Sequence, residues 1–303
     1  SGDTGGAVAS GFLGVEGVNV VILYPSGKVS EVQEKQLTTL GQNIRALEVE
    51  GTFDDCQDMV KTAFLDSEIT DHIQLTSANS INVARWLPQM FYFAFAYQQL
   101  DDKRQAPVFS IPSGNFGNIC AGIMAKRLGL PVSHFVAATN VNRVVPNFME
   151  SGVYTPMDSI ATISNAMDVG DPSNFVRIRE IYDNDFEKLR TDLSSYSFTD
   201  EQTKEAMSMI YDKSGYVTDP HGAVGYLGLK KHLYSTGHSG KSGEPARPGI
   251  FLETAHPVKF LEVVEPVLGV KIDYPDQIQS VINREKKAEY ITSYGELKQF
   301  LLS

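Results

Sequence analysis

The sequence predicts an α/β protein of parallel sheets with helices on both faces. Two observations point there. Strand-like β-branched runs alternate with helix-like runs along the first half of the chain. A polar segment ending in proline, QLDDKRQAP at 99–107, then divides the alternation into two blocks. The expected organisation is a smaller α/β domain over 1–103 and a larger one over 104–303. With 303 residues and 42% apolar content the chain can bury the cores this requires.

In order, GVNVVILYP (17–25) reads as a strand stopped by Pro25, and VSEVQEKQLTTLG (29–41) as a helix with Gly41 suited to the position after its last turn. IRALEV (44–49) is a second strand; TFDDCQDMVKTAF (52–64) is a helix with Thr52 as N-cap. IQLTSAN (73–79) reads as a third strand, followed by a long apolar helix from Asn82 to Leu100. The second block repeats the pattern with APVFSIP (106–112), a helix from Gly117 to Leu128 and HFVAATN (134–140). Charged helices follow at 173–193, a Gly-, Ser- and Pro-rich loop at 235–249, and a strand at 250–256.

Composition excludes several functions. A formal charge of −11 leaves no broad cationic face for phosphate backbones or anionic lipid, so neither nucleic acid nor membrane is an expected partner. Apolar runs such as MFYFAFAY (90–97) fall well short of the ~20 residues a spanning helix needs. Cys56 and Cys120 have neither metal-ligand spacing nor scaffold density, which suits a reducing, cytoplasmic compartment and small buried thiols. No cluster has the pattern of a metal site.

Four segments could carry chemistry. In VFSIPSGNFGNICAGIMAKRLGL (108–130), a strand runs through Ser113, Gly114, Asn115, Phe116, Gly117 and Asn118 into a helix. Backbone N–H groups converging at a positive helix end suit a phosphate; the plainer reading is a strand-to-helix turn whose glycines only solve backbone geometry. The spacing is neither G-x-G-x-x-G nor a Walker sequence, which disfavours dinucleotides and nucleoside triphosphates. SGDTGGAVASGF (1–12) sets Ser1, Gly2, Asp3, Thr4 and Gly5 before a helix start, as anion donors or as ordinary caps. TSANSINVAR (76–85) brings Asn79, Ser80 and, a turn or two on, Arg85 to a strand end, where a phosphate monoester could be held, although Arg85 also fits a surface ion pair. IFLETAHPVKF (250–260) delivers Glu253, Thr254 and His256 to another strand end; His256 fits a packed histidine, Lys259 a solvated helix start, and His221 in TDPHGAVGY a helix cap.

Taken in order, SGDTGGA, ANSINVAR, IPSGNFGNICAGIMAKRLGLP, AATNVN, SNAMDVGDPSN, TDPHGAV and ETAHPVKF resemble the threonine synthases, pyridoxal 5'-phosphate enzymes of the tryptophan-synthase β-like fold (fold type II), over nearly the whole chain. The resemblance implies two open, mostly parallel twisted sheets flanked by helices. It implies that Ser113 to Asn118 cradle the cofactor phosphate, that Thr254 meets the pyridine nitrogen and that Asp3 lies near the 3′ oxygen. Ser1, Gly2, Thr4, Gly5, Asn79, Ser80 and Arg85 become substrate contacts, the first loop receiving the carboxylate and Thr4, Asn79, Ser80 and Arg85 the phosphate. The implied reaction is that of a carbon–oxygen lyase acting on phosphate: O-phospho-L-homoserine loses its Cα and Cβ protons and its phosphate, and water adds at Cβ to give L-threonine.

The family's Schiff-base lysine lies upstream of the SGDTG-like loop. No lysine here, Lys28, Lys35, Lys126 and Lys259 included, occupies that context. The expectation is therefore an N-terminally truncated fragment of the parent enzyme, inactive alone. A serine/threonine dehydratase-like or cysteine synthase-like lyase, and a non-catalytic metabolite-binding relative, are the competing readings. The sequence leaves monomer and homodimer both open.

Overall fold

The computed structural model describes residues 2–238 and 247–303. Seven strands are described: β1 (Val20–Pro25), β2 (Ile44–Val49), β3 (Val108–Pro112), β4 (His134–Thr139), β5 (Leu193–Ser197), β6 (Gly249–Phe251) and β7 (Glu289–Ile291). They form two parallel sheets, one ordered β1-β2-β7 and the other β5-β4-β3-β6, flanked by helices. This is the α/β class expected.

The chain divides into two compact units. The first comprises residues 1–78, 258–261 and 271–303, the second 79–257 and 262–270. The division departs from the 1–103/104–303 expectation at both ends. The helix Trp86–Gln98 belongs with the second unit because Phe93 packs edge-on against Phe109 of β3, ring centroids 5.1 Å apart, and approaches Phe135 of β4. The segment after residue 271 returns to the first unit because β7 adds a third strand beside β2, in the register Leu47↔Glu289 to Val49↔Ile291.

Most elements form where the pattern places them, with shifted bounds. The Glu31–Thr38 and Phe53–Leu65 helices carry capping boxes at Ser30 and Thr52, each satisfying two otherwise unpaired donors. Residues 73–79 are the clear exception: they form no strand. The expected long helix is a short 3₁₀ turn at Val83–Arg85 followed by Trp86–Gln98. The strand expected at 250–256 is only Gly249–Phe251, and of the 235–249 loop residues 239–246 lie outside the described part.

Of the described helices, none is long and apolar enough to cross a membrane. Cys56 and Cys120 are buried and form no disulfide.

The second unit is organised by the helix Pro220–Ser235, which lies across β3, β4 and β6. Its glycines at 222, 225 and 228 recur every three residues along one face. A Cβ on Gly225 would stand 3.3 Å from Pro112 Cδ; one on Gly228 would stand 2.7 Å from Ala138 Cβ and 2.9 Å from Ser110 Oγ. Glycine therefore lets the helix backbone sit directly on the sheet. Ser110 Oγ also donates to the carbonyl of Gly225 at 2.7 Å, bonding strand to helix. We expect Gly228→Ala to destabilise the protein by about 2 kcal/mol through overpacking, read from urea unfolding. An unchanged midpoint would mean that the helix shifts freely.

Candidate functional site

β3 and β6 are neighbouring parallel strands, with Ser110 opposite Phe251. Both run out toward the same edge of the sheet. Ser113 follows one residue after β3 and Thr254 three residues after β6, so the phosphate-type loop and the proposed ring contact emerge side by side at the carboxyl edge, the usual ligand edge of a parallel sheet.

The loop's side chains are turned into the protein. Ser113 uses both its donors internally, its N–H on the Ala138 carbonyl at 2.8 Å and its hydroxyl on the Ile111 carbonyl at 2.9 Å. Asn115 Nδ2 donates to Ser80 Oγ at 3.1 Å, while its Oδ1 accepts from the N–H and hydroxyl of Ser173. Asn118 Nδ2 donates to the Pro112 carbonyl, and Phe116 packs against Phe175. Phe116 adopts a left-handed backbone, φ 62°, as it enters the Gly117–Arg127 helix. That bend turns successive amides inward.

The amides remain. Among the described residues no protein acceptor takes the N–H of Gly114, Phe116, Gly117 or Asn118. Beside them Asn174 Nδ2 is buried without a partner, 3.5 Å from where a Cβ on Gly117 would stand. A cluster of unsatisfied amide donors at a helix N-terminus, in a loop whose own side chains are engaged within the protein, fits a phosphate group.

The structure also explains Gly114 apart from any ligand. A Cβ there would stand 2.5 Å from the Ala166 carbonyl oxygen and 2.8 Å from Met167 Cα. The 162–168 loop pressing on it is held by Asp168, whose carboxylate accepts from Thr162 N, Thr162 Oγ1, Asn140 Nδ2 and Asn142 Nδ2 at 2.7–3.2 Å. Burial pushes the Asp168 carboxyl up to about 6 despite these four donors, so it is ionised at neutral pH.

Asn79, Ser80 and Arg85 sit in the second unit too. Asn79 Oδ1 accepts from Ser80 N at 2.7 Å, and the Ser80–Asn115 bond ties this turn to the phosphate-type loop. Arg85 is half-buried at the end of its 3₁₀ turn. Sequence reasoning missed Arg177, which braces the same turn from below: its guanidinium donates to the carbonyls of Ser80 and Ile81 and to Asn174 Oδ1 at 2.6–3.2 Å. The only signal was its place in a charged helix.

The first unit holds the other proposed contacts. Ser1 lies outside the described residues. Gly2, Asp3, Thr4 and Gly5 form the first turn of the helix Gly2–Phe12, so Asp3 and Thr4 are inside it rather than before it. Asp3 Oδ1 accepts from Lys259 Nζ at 2.7 Å and from Gln33 Nε2 at 3.3 Å. Lys259 is thus a mostly buried ion-pair partner, 17% exposed, and not the solvated residue expected. Gly5 has a packing reason, since a Cβ would meet Leu37 Cδ2 at 2.6 Å. Lys35 and Lys126 are likewise engaged, on the Arg284 carbonyl and on Asp192.

His221 does more than cap a helix. The cap is Asp219, whose Oδ1 accepts from Gly222 N at 2.8 Å; its Oδ2 lies 2.6 Å from His221 Nδ1. His221 Nε2 accepts from Ala166 N at 3.2 Å. A backbone N–H can only donate, so the imidazole holds its proton on Nδ1 and gives it to Asp219.

Known proteins resemble this chain in sequence and fold. The family described as pyridoxal-phosphate dependent enzyme covers residues 1–242, and that described as threonine synthase, C-terminal, covers 228–301. Threonine synthase of Haemophilus influenzae is 47% identical over 279 residues, 92% of this chain and 63% of its own. The crystal structure of threonine synthase from Escherichia coli superposes with a TM-score of 0.92 at 42% identity, over 99% of this chain and 68% of that one. The pyridoxal-phosphate-bound threonine synthase of Brucella melitensis gives 0.82 at 33% identity, over 99% and 68%. The chain therefore spans about two thirds of the length of these relatives. On this evidence, fold and sequence together, the chain belongs to the threonine synthases within the pyridoxal-phosphate-dependent enzymes.

Proposed function

We propose that these residues form the cofactor and substrate-phosphate site of a threonine synthase, which converts O-phospho-L-homoserine and water to L-threonine and phosphate. The observation that carries the reading is the set of unpaired amides at Gly114 and Phe116–Asn118, at the same sheet edge as Thr254. Pyridoxal phosphate, when bound, supplies the electron sink that lets protons leave Cα and Cβ. The amides would hold its phosphate. Thr254 would offer a hydroxyl to the ring nitrogen, which, unlike a carboxylate, does not enforce a protonated ring.

Asn79, Ser80 and Arg85 would bind the phosphate that leaves, Arg85 through a two-pronged guanidinium and Ser80 through a hydroxyl already oriented by Asn115. The first unit would contribute its 2–5 turn as an anion-binding element of its own, with Asp3 held there by Lys259. The anionic substrate and the buried, unbridged cysteines suit a cytoplasmic enzyme.

The experiment, run on this chain joined to the upstream lysine segment that the resemblance implies, is release of inorganic phosphate from phosphohomoserine in the presence of pyridoxal phosphate, with threonine as the organic product. Ammonia release from serine or threonine without phosphate release would favour the dehydratase reading instead. In that lysine-bearing enzyme, Arg85→Ala should lower kcat/KM for phosphohomoserine by about thirtyfold, a loss on the order of 2 kcal/mol, mainly through KM. An effect confined to kcat would place Arg85 outside substrate binding.

A further inference from the structure

Arg177 and Asn174 lie where the two phosphate-type elements of the second unit meet. A Cβ on Gly117 would stand 2.7 Å from Ser80 Cβ, so glycine lets the 79–82 turn rest directly on the start of the Gly117–Arg127 helix. Asn115 Nδ2 donates to the Ser80 hydroxyl, and its Oδ1 takes the N–H and hydroxyl of Ser173. The next residue is Asn174. The turn that suits the substrate phosphate and the loop that suits the cofactor phosphate are therefore one packed body.

Arg177 fixes two parts of this body at once. Its Nη1 donates to the Ser80 carbonyl at 3.2 Å and to Asn174 Oδ1 at 2.9 Å, while Nη2 donates to the Ile81 carbonyl at 2.6 Å. The guanidinium also lies 5.6 Å from the centroid of the Trp86 ring, which limits its freedom to turn.

The orientation of Asn174 follows. A guanidinium has donors only, so the side-chain oxygen of Asn174 must face Arg177 and its nitrogen must face away. Asn174 is 0% exposed, and that nitrogen is buried without a partner, 3.5 Å from where a Cβ on Gly117 would stand. A buried donor lacking an acceptor is costly, and this one is turned toward a helix start whose amides also lack acceptors. Among the described residues no carboxylate pairs with Arg177, and the acceptors it uses are neutral. Its charge stays available to anions held beside it.

We propose that Asn174 Nδ2 joins the loop amides as a donor to the cofactor phosphate, and that Arg177 is the positioning residue that aims it while holding the Ser80–Ile81 turn for the substrate phosphate; this deepens the function proposed above and rests on it. One brace then serves both anions, and loosening it weakens both.

The brace is measured without any ligand. Amide hydrogen exchange at Ser80, Asn82, Ala84 and Arg85, all hydrogen-bonded within the turn, should quicken by about tenfold in Arg177→Lys, whose compact amine cannot reproduce the fork. Unchanged exchange at these amides would overturn the role of Arg177. So would an equal rise in every helix, which would mark general loss of stability.

The donor is measured by cofactor binding to the lysine-bearing enzyme. Asn174→Asp keeps the shape and still accepts from Arg177, but it puts an oxygen where the donor was. Pyridoxal phosphate should bind about thirtyfold more weakly, while pyridoxal, which lacks the phosphate, should change by less than about threefold. Asn174→Ala, made alongside in case the added charge prevents folding, should show the same selectivity at about tenfold. Equal losses for the two ligands, or none for either, would overturn the assignment of Nδ2. Wild-type protein that binds pyridoxal phosphate no better than pyridoxal would sink the cofactor reading and Asn174's part with it, while quickened exchange in Arg177→Lys would still establish the brace.

Discussion

Gly114→Ala should weaken pyridoxal phosphate binding by a hundredfold or more, of order 3 kcal/mol, and destabilise the fold by about the same amount. The new methyl would stand 2.5 Å from a carbonyl oxygen and 2.8 Å from a Cα, both main-chain atoms. A side chain could rotate aside; this backbone cannot, because Asp168 pins the opposing loop with four hydrogen bonds. The 113–118 loop must therefore move, and its amides lose their common focus. Cofactor titration and urea unfolding of the same variant check the two halves. Near-wild-type affinity would show that the amides around Gly114 are not the phosphate's donors.

Asp168→Asn should cost about 3 kcal/mol of stability at pH 7, although it changes one atom. Four donors converge on this carboxylate, so the new amide group would point N–H at N–H or O–H whichever way it is turned. Loss of a buried charge-assisted network, with donors left unsatisfied, falls in the range of the larger single-site effects. The prediction extends to the cofactor: a loosened 162–168 loop releases its hold on Gly114 and weakens binding in proportion. Thermal and urea unfolding read the first effect. Wild-type stability would mean that ordered water substitutes for the missing acceptor.

Much of the fold was legible because local and global signals agreed. β1 to β4 and the helices capped by Ser30 and Thr52 combine periodicity, propensity and capping residues in one short stretch. The failures have physical causes. Residues 73–79 have strand-forming composition but join neither of the two described sheets. The boundary was drawn at a polar, proline-ended segment, whereas the Trp86–Gln98 helix is assigned to the second unit by Phe93, a long-range contact no local pattern reports. β7 is too short to stand out as a strand and was not anticipated.

The site shows the same division. The order of the motifs pointed to the 113–118 loop and to Thr254, and topology then set them on adjacent strands. The sequence leaves open whether the glycines of this loop serve a ligand or only backbone geometry; the structure shows that Gly114 makes room for Ala166 and Met167. His221 and Arg177 were undervalued because their meaning lies in partners 55 and 97 residues away.

The pairing of β7 with β2 bears on how the chain is made. The two partners are separated by about 240 residues, so during synthesis the outer edge of β2 waits bare while the whole second unit emerges and collapses. An unmatched row of main-chain donors and acceptors is a template for the wrong neighbour. Nascent protein should therefore depend on chaperone holding until its final helices leave the ribosome.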